Sequence, residues 1–238
     1  NVAIGSGALL VATTASNNVA VGKDALTANS SGTDNVAVGD AAGDAVTTGS
    51  DNTLIGDNAG GALTTGGNNT AIGSGALLVA TTAADNTAIG TAALAANSSG
   101  TDNTAVGFSA GDAVTTGSDN TLVGDNAGGA LTTGGDNTAV GSGALATEDG
   151  HGKNVAVGSE SLATLNAGAD SYNVGVGYQA GNDLTTGIQN TLLGGLAGDV
   201  LTDADYNVAV GVSALGADTK GSKSTAIGYS TLTAQNFT

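Results

Sequence analysis

The feature that most constrains this chain is a short segment that returns at a fixed interval. An asparagine, a β-branched residue, a small or aliphatic residue, a second aliphatic residue and a glycine open each repeat, as in Asn69-Thr70-Ala71-Ile72-Gly73. Fourteen repeats follow one another, and their first residues are 17 apart except Asn154 and Asn173, which are 19 apart. So strict a period is the signature of a repeat architecture in which each repeat packs on the next.

Two columns of the repeat are almost invariant. If the first residue is offset 0, this offset is Asn in thirteen repeats and Ser224 in the last, and offset +4 is always Gly. The asparagines are Asn1, Asn18, Asn35, Asn52, Asn69, Asn86, Asn103, Asn120, Asn137, Asn154, Asn173, Asn190 and Asn207. The glycines are Gly5, Gly22, Gly39, Gly56, Gly73, Gly90, Gly107, Gly124, Gly141, Gly158, Gly177, Gly194, Gly211 and Gly228. We expect the asparagines to hydrogen-bond along a ladder, and the glycines to occupy a left-handed or crowded backbone position.

The residues between these two columns predict a short strand. Offset +1 is Thr or Val, and offset +3 is Ile, Val or Leu in every repeat. Alternation would place offsets +1 and +3 on one face of the strand and offset +2 on the other. A second short strand is predicted near offsets +7 to +11, for example over Ala59–Leu63. Seventeen residues are too few for the usual helical repeats, so the sequence predicts an all-β fold, a parallel β-solenoid or β-roll of 14 coils.

Composition supports a stack of thin coils. Aromatic residues make up 3%, Trp, Met, Cys and Pro are absent, and Gly numbers 41, which leaves few large side chains for an ordinary core. Disorder is the alternative, but hydrophobic residues reach 40% and fall at fixed offsets. We therefore expect a single solenoid domain over residues 1–238. Offset +8 repeats the order Leu, Leu, Gly, Gly, which defines super-repeats 1–68, 69–136, 137–206 and a partial one, 207–238.

Charge limits the partners that this chain can take. Twenty-one acidic residues oppose four lysines and no arginine, giving a net charge of −17. Phosphate backbones and anionic membrane surfaces would be repelled, so nucleic acid is not an expected partner. The longest apolar run, Ala8–Ala12, is too short to cross a bilayer, so no membrane insertion is expected. The chain has no initiator Met, and we expect it to belong to a longer fibre or polymer.

The repeat resembles a known family of surface proteins. Its Asn, the aliphatic residue at +3 and the Gly at +4 resemble the YadA-like head repeats of trimeric autotransporter adhesins and similar repeats of phage tail fibres. The resemblance extends over all fourteen repeats, although the adhesin repeats are usually shorter than 17 residues. It implies a left-handed parallel β-roll, assembled as a parallel homotrimer and displayed outside the cell or on a virion.

Calcium is one alternative that the residues leave open. An Asp precedes the first Asn of several repeats, at offset −1: Asp34, Asp51, Asp85, Asp102, Asp119 and Asp136. Stacked carboxylates would repel one another, and a hard cation between them would relieve that repulsion. Asn17 and Asn68 interrupt the column, and the nonapeptide of calcium-binding β-rolls is absent. The other interpretation is that these are solvated turn residues, and no other cofactor is expected.

Three further features have both a functional and a structural interpretation. Paired threonines such as Thr64-Thr65 recur at offsets +12 and +13, and a hydroxyl array could bind ice or could satisfy turn backbone. Aromatic residues stand at offset +5 in three repeats, where they could contact a glycan or protein, or be incidental: Phe108, Tyr178 and Tyr229. The segment Thr147–Lys153, with the chain's one histidine, and the two extra residues before Asn173 fit protruding loops. Such a loop could be a contact or an ion site, or a tolerated insertion.

These observations favour a structural role over a catalytic one. One histidine with no Cys and no Arg gives little material for a catalytic centre, so we do not expect an enzyme. The expected function is a structural and adhesive fibre segment, extracellular or on a virion. Its expected partners are copies of itself, as a trimer or a head-to-tail filament, and a host-surface protein or glycan. The alternatives are an ice- or surface-binding solenoid that uses threonine ladders, and a calcium-stabilised extracellular β-roll.

Overall fold

The computed structural model describes residues 1–233 and confirms the predicted fold class, an all-β parallel β-solenoid with a repeat of 17 residues. Residues 234–238, the end of the partial super-repeat predicted over 207–238, lie outside this range. Every strand is three residues long and covers offsets +1 to +3 of its repeat. The chain forms two compact units, Asn1–Asp119 and Asn120–Thr238, each described below by itself.

Each unit contains seven strands that pair in parallel, in chain order. The strands of the N-terminal unit are β1 (Val2–Ile4), β2 (Val19–Val21), β3 (Val36–Val38), β4 (Thr53–Ile55), β5 (Thr70–Ile72), β6 (Thr87–Ile89) and β7 (Thr104–Val106). Those of the C-terminal unit are β8 (Thr121–Val123), β9 (Thr138–Val140), β10 (Val155–Val157), β11 (Val174–Val176), β12 (Thr191–Leu193), β13 (Val208–Val210) and β14 (Thr225–Ile227).

The register pairs each residue with the same offset of the next repeat. Val2 lies opposite Val19 in β1 and β2, and Val155 lies opposite Val174 in β10 and β11. The second pair spans the irregular interval of 19 residues, so the two additional residues are absorbed before the strand begins. A period-matched register of this kind places each column of the repeat in a row along the sheet.

The strand faces differ in burial. Offset +2 is buried in β2 to β14, as for Ala20, Leu54 and Ala139. Offsets +1 and +3 point outward and are half-buried or exposed in all fourteen strands. The small residue therefore faces the interior of the coil and the large aliphatic residue faces away from it.

The second strand predicted near offsets +7 to +11 is wrong. Turns occupy this segment, because residues at offsets +6 and +8 adopt left-handed backbone angles, as in Asn58 (φ 53°) and Gly60 (φ 62°). Alternate N–H groups nevertheless reach neighbouring coils, since Gly60 donates to the Ala76 carbonyl at 2.9 Å and Ala62 to the Leu78 carbonyl at 3.0 Å. The coils are thus hydrogen-bonded here without forming a strand.

Where offset +8 is Gly, the missing side-chain volume in the core is supplied by a leucine at offset +2. A Cβ on Gly43 would lie 2.6 Å from Leu54 Cδ1, and a Cβ on Gly60 would lie 2.8 Å from Leu54 Cδ2. One leucine of β4 therefore fills the space that two leucines fill in other coils, where offset +2 is Ala. Leu122 and Leu192 have the same role against their own glycines Gly128 and Gly181.

Candidate functional site

The asparagine column forms a hydrogen-bonded ladder inside each unit. Asn35, which is fully buried, accepts from the backbone N–H of Asn52 at 3.1 Å and from Asn52 Nδ2 at 3.0 Å. Its own Nδ2 donates to Asn18 Oδ1 at 3.1 Å and to the Gly49 carbonyl at 2.9 Å. All four hydrogen-bonding positions of the amide are used, which is what a buried polar group requires.

The ladder adapts where the interval is 19 residues. Asn154 Oδ1 accepts from the Asn173 N–H at 3.0 Å and from the Ser171 hydroxyl at 2.7 Å, so the hydroxyl replaces the amide of the next asparagine. Ser224 ends the described series, since its N–H donates to Asn207 Oδ1 at 2.9 Å. The amide groups of the column are hydrogen-bonded within the protein, so they are structural and offer few free donors or acceptors to a ligand.

The glycine column lies where a side chain has no room. At Gly73 the backbone φ is 140°, and a Cβ would lie 2.4 Å from the carbonyl oxygen of Gly90 in the next coil. A residue with a Cβ would therefore be strained in backbone and blocked by an atom that cannot move away. These glycines allow the coils to approach one another.

The aspartates at offset −1 are exposed turn residues with left-handed backbone. Asp34 and Asp51 both have φ of 59°, an angle that Asn and Asp tolerate better than most residues. The asparagines that interrupt the column pair with it, because Asn17 Nδ2 donates to Asp34 Oδ1 at 3.1 Å and Asn68 Nδ2 to Asp85 Oδ1 at 3.0 Å. Calcium binding by this column stays a prediction.

The same offset differs in the C-terminal unit, which the sequence analysis missed. After Asp136 it holds Lys153, Tyr172, Gln189, Tyr206 and Lys223, all with positive φ. The tyrosines are about half exposed, and the Lys153 ammonium lies 5.5 Å from the centroid of the Tyr172 ring. Lys153 also pairs with Asp170, and that hydrogen bond lowers the pKa of the Asp170 carboxyl. Tabulating offset −1 in every repeat would have revealed this group.

The three aromatic residues at offset +5 are exposed but do not form one patch. Phe108 is 62% exposed and belongs to the N-terminal unit. Tyr178 and Tyr229, 57% and 80% exposed, belong to the C-terminal unit, three coils apart, or about 14 Å at the usual strand spacing. A contact role for them stays a prediction.

The two threonine columns have different environments. The hydroxyl of Thr64 donates to the Thr81 carbonyl at 2.8 Å and that of Thr47 to the Thr64 carbonyl at 3.1 Å, so offset +12 satisfies backbone. Thr65 and Thr82, at offset +13, are exposed. Offset +13 therefore presents a hydroxyl row to solvent, as do the half-buried or exposed threonines at offset +1, and ice binding by such rows stays a prediction.

The outward faces of the strands form a regular uncharged surface in each unit, with Thr or Val at offset +1 and an aliphatic residue at offset +3. We call the side chains at offsets +1 and +3 of β1–β14 the outer strip. Both offsets are free of charged residues in all fourteen repeats, although the chain carries 25 charged residues. Offset +3 is exposed by 36% at Ile55, 37% at Ile89 and 45% at Leu193. The sequence indicated that these residues share a face but not that the face is the outer one.

The segment Thr147–Lys153 does not protrude as predicted. Glu148 is fully buried at offset +11, a position that Leu131 and Leu165 occupy in the adjacent coils. Burial raises the pKa of the Glu148 carboxyl. Glu148, Asp149 and His151 place ligand-type atoms within 4.8 Å of one another, and residues 1–233 contain no second such group of three.

No pocket is found among the described residues, and none of their segments is a helix that could cross a membrane. A scan against protein-family models matches none, and searches of curated proteins and of solved structures find no significant match. The geometry of the chain itself is therefore the basis for the proposals that follow.

Proposed function

We propose that this chain is a structural, non-enzymatic fibre segment whose copies associate through the outer strip, outside the cell or on a virion. The observation that carries the proposal is the absence of charge from offsets +1 and +3 in a chain of net charge −17. A row of exposed aliphatic side chains, such as that at offset +3, is typical of an interface. Two copies can meet there without bringing their carboxylates together.

A second copy of the same chain fits this surface better than an unrelated partner. Apolar side chains stand along the outer strip at the coil spacing of about 4.8 Å. A copy carries the same spacing, so the aliphatic residues of the two strips can interdigitate along the whole contact. The resemblance to trimeric adhesin heads favours three parallel copies, and a glycan or host protein bound to the remaining surface would make the fibre adhesive.

Site-specific cross-linking tests this arrangement, because the chain has no native cysteine. Ile72→Cys places a thiol in the outer strip of β5, and Thr65→Cys places one in the exposed row at offset +13. In parallel copies in the same register, identical residues of facing strips lie about 10 Å apart, the usual separation of packed sheets, which a bismaleimide of that length spans and a direct disulfide does not. The reagent should yield covalent dimers of Ile72→Cys and leave Thr65→Cys as single chains. Equal cross-linking of both variants, or of neither, would contradict the proposal.

A further inference from the structure

Three columns of the repeat depart from their usual residues in the same coil. Offset +11 is mostly Leu, Val or Ala, offset +12 is mostly Thr or Ser, and offset +14 is mostly Gly or Ala. In the repeat that begins at Asn137 they are Glu148, Asp149 and His151, and His151 is the one histidine of the chain. Each replacement introduces a metal-ligand side chain, and the coil brings the three together.

The group contains two buried atoms that make no regular hydrogen bond. Glu148 Oε1 accepts from the His151 N–H at 3.2 Å, and the Ala167 backbone also acts on this carboxylate and opposes the rise of its pKa, but Glu148 Oε2 and His151 Nδ1 are buried without a hydrogen bond of regular geometry. His151 Nδ1 lies 3.5 Å from Glu148 Oε1. Two ligands of one tetrahedral ion with bonds of about 2.1 Å are separated by roughly 3.4 Å, so the observed separation suits a shared metal.

The backbone that carries these residues is fixed by hydrogen bonds from the preceding coil and from its own coil. The Asp149 carbonyl accepts from the Thr132 N–H, and the His151 carbonyl accepts from Asn137 Nδ2 at 3.2 Å. Asp149 itself is exposed, so one of the three candidate ligands lies at the surface of the coil.

We propose that Glu148, Asp149 and His151 bind one divalent transition-metal ion, with Zn²⁺ as the ion that this set of one imidazole and two carboxylates fits. An imidazole ligand favours Zn²⁺ over Ca²⁺ or Mg²⁺, which prefer all-oxygen sites. This site is distinct from the outer strip, and the proposal is independent of the fibre role.

The neighbouring coils supply matched variants for the test. Glu148→Leu, Asp149→Thr and His151→Gly restore the residues that Leu131, Thr132 and Gly134 provide one coil earlier. Because each restores the residue of its own column, the triple variant is expected to fold. Asp218→Leu is the control, since Asp218 also lies at offset +11 with a buried unpartnered oxygen but has Gly221 in place of a histidine.

The measurement is a titration of the intact chain with Zn²⁺ in excess Mg²⁺, followed by calorimetry and by the NMR signals of the single imidazole. We expect saturation at one Zn²⁺ per chain with a shift of the His151 signals, retention of both in Asp218→Leu, and loss of the saturating isotherm in Glu148→Leu and in the triple variant. An imidazole signal that does not move at one equivalent, or a triple variant that binds as the native chain does, would overturn the proposal.

Discussion

At the scale of single residues, the asparagine ladder is the feature with the greatest consequence for stability. Asn69 is 1% exposed; it accepts from the Asn86 N–H at 3.1 Å and donates to the Ala83 carbonyl at 2.8 Å. Asn69→Ala leaves both backbone groups buried and unpaired, at a cost of about 1–3 kcal/mol for each. We expect a clear fall in the urea midpoint, measured by circular dichroism.

The control for that change is the preceding residue. Asn68 is exposed and has φ of 58°, and Asn68→Asp loses only its exposed hydrogen bond to Asp85, so the midpoint should fall far less than in Asn69→Ala. If Asn69→Ala were as mild as Asn68→Asp, the ladder would have no stabilising role.

Two glycines of one turn test the glycine column in the same way. A Cβ at Gly73 meets the Gly90 carbonyl oxygen at 2.4 Å, whereas a Cβ at Gly75, with φ of 65°, meets nothing within 4 Å. Gly73→Ala should therefore unfold or strongly destabilise the coil, and Gly75→Asn should be tolerated because Asn adopts left-handed angles readily. Thermal melting of the two variants checks this. Equal melting temperatures would show that lack of space for a side chain is not the reason for Gly at offset +4.

At the scale of the coil, core volume is shared between offsets +2 and +8. Leu54→Ala removes a fully buried leucine that packs on Gly43 and Gly60, and such a truncation costs about 2–5 kcal/mol. Adding Gly43→Leu and Gly60→Leu returns leucine to offset +8, as in the coils of Leu77 and Leu94, although Val46 and Leu63 remain where those coils have Ala80 and Asn97. We expect the triple variant to regain part of the lost stability. Urea denaturation of the single, double and triple variants would measure this coupling, and losses that simply add would refute it.

The coil also shows which parts of the fold were predictable from sequence. β-branched and aliphatic residues before an invariant Gly predicted the strands and their parallel register, since every repeat carries the same signal. The prediction of a second strand was wrong because residues at offsets +6 and +8 have left-handed backbone angles. Some of them, such as Ala41 and Leu26, belong to residue types that rarely adopt these angles. Leu26 compensates by full burial and by an N–H that donates to the Ala42 carbonyl at 3.0 Å.

The candidate sites were less predictable, because the burial of a side chain depends on the residues that pack against it from the neighbouring coils. Offsets +2 and +3 are both apolar, so their sequence does not say which one faces outward. The interior takes offset +2, which is Ala in most repeats and Leu only in three repeats whose offset +8 is Gly. Glu148 was expected in an exposed loop, but its column is a core column, which becomes visible only when all repeats are aligned by offset.

At the scale of the whole molecule, acidity and stability are linked through partly buried aspartates. Burial raises the pKa of Asp44 and of Asp199, with smaller contributions from the nearby Asp24 and Asp183. The folded chain then binds these protons more tightly than the unfolded chain, so the free energy of unfolding falls as pH rises from their ordinary value of 3.8 through the raised values. The pKa of Asp170 is lowered, so its titration changes the free energy of unfolding only at pH values below that range.

We therefore expect the urea midpoint to rise as pH is lowered from 7 toward 4.5, unlike ordinary acid denaturation. The double variant Asp44→Asn with Asp199→Asn removes two of the carboxyls with a raised pKa, leaving Glu148, and should show a smaller rise. A midpoint that falls over this range in the native chain, or an identical pH profile in the double variant, would contradict this account.

The central claim is that the outer strip is covered by copies of the same chain, and the molecular mass in solution tests it most directly. Sedimentation equilibrium over a range of concentrations should give a multiple of the 22.2 kDa chain mass, three copies if the adhesin-like arrangement holds. Replacing Ile55 and Ile89 with lysine should reduce that mass toward one chain, because charge in the strip would have to be buried. A native chain that sediments at 22.2 kDa at every concentration would contradict the claim.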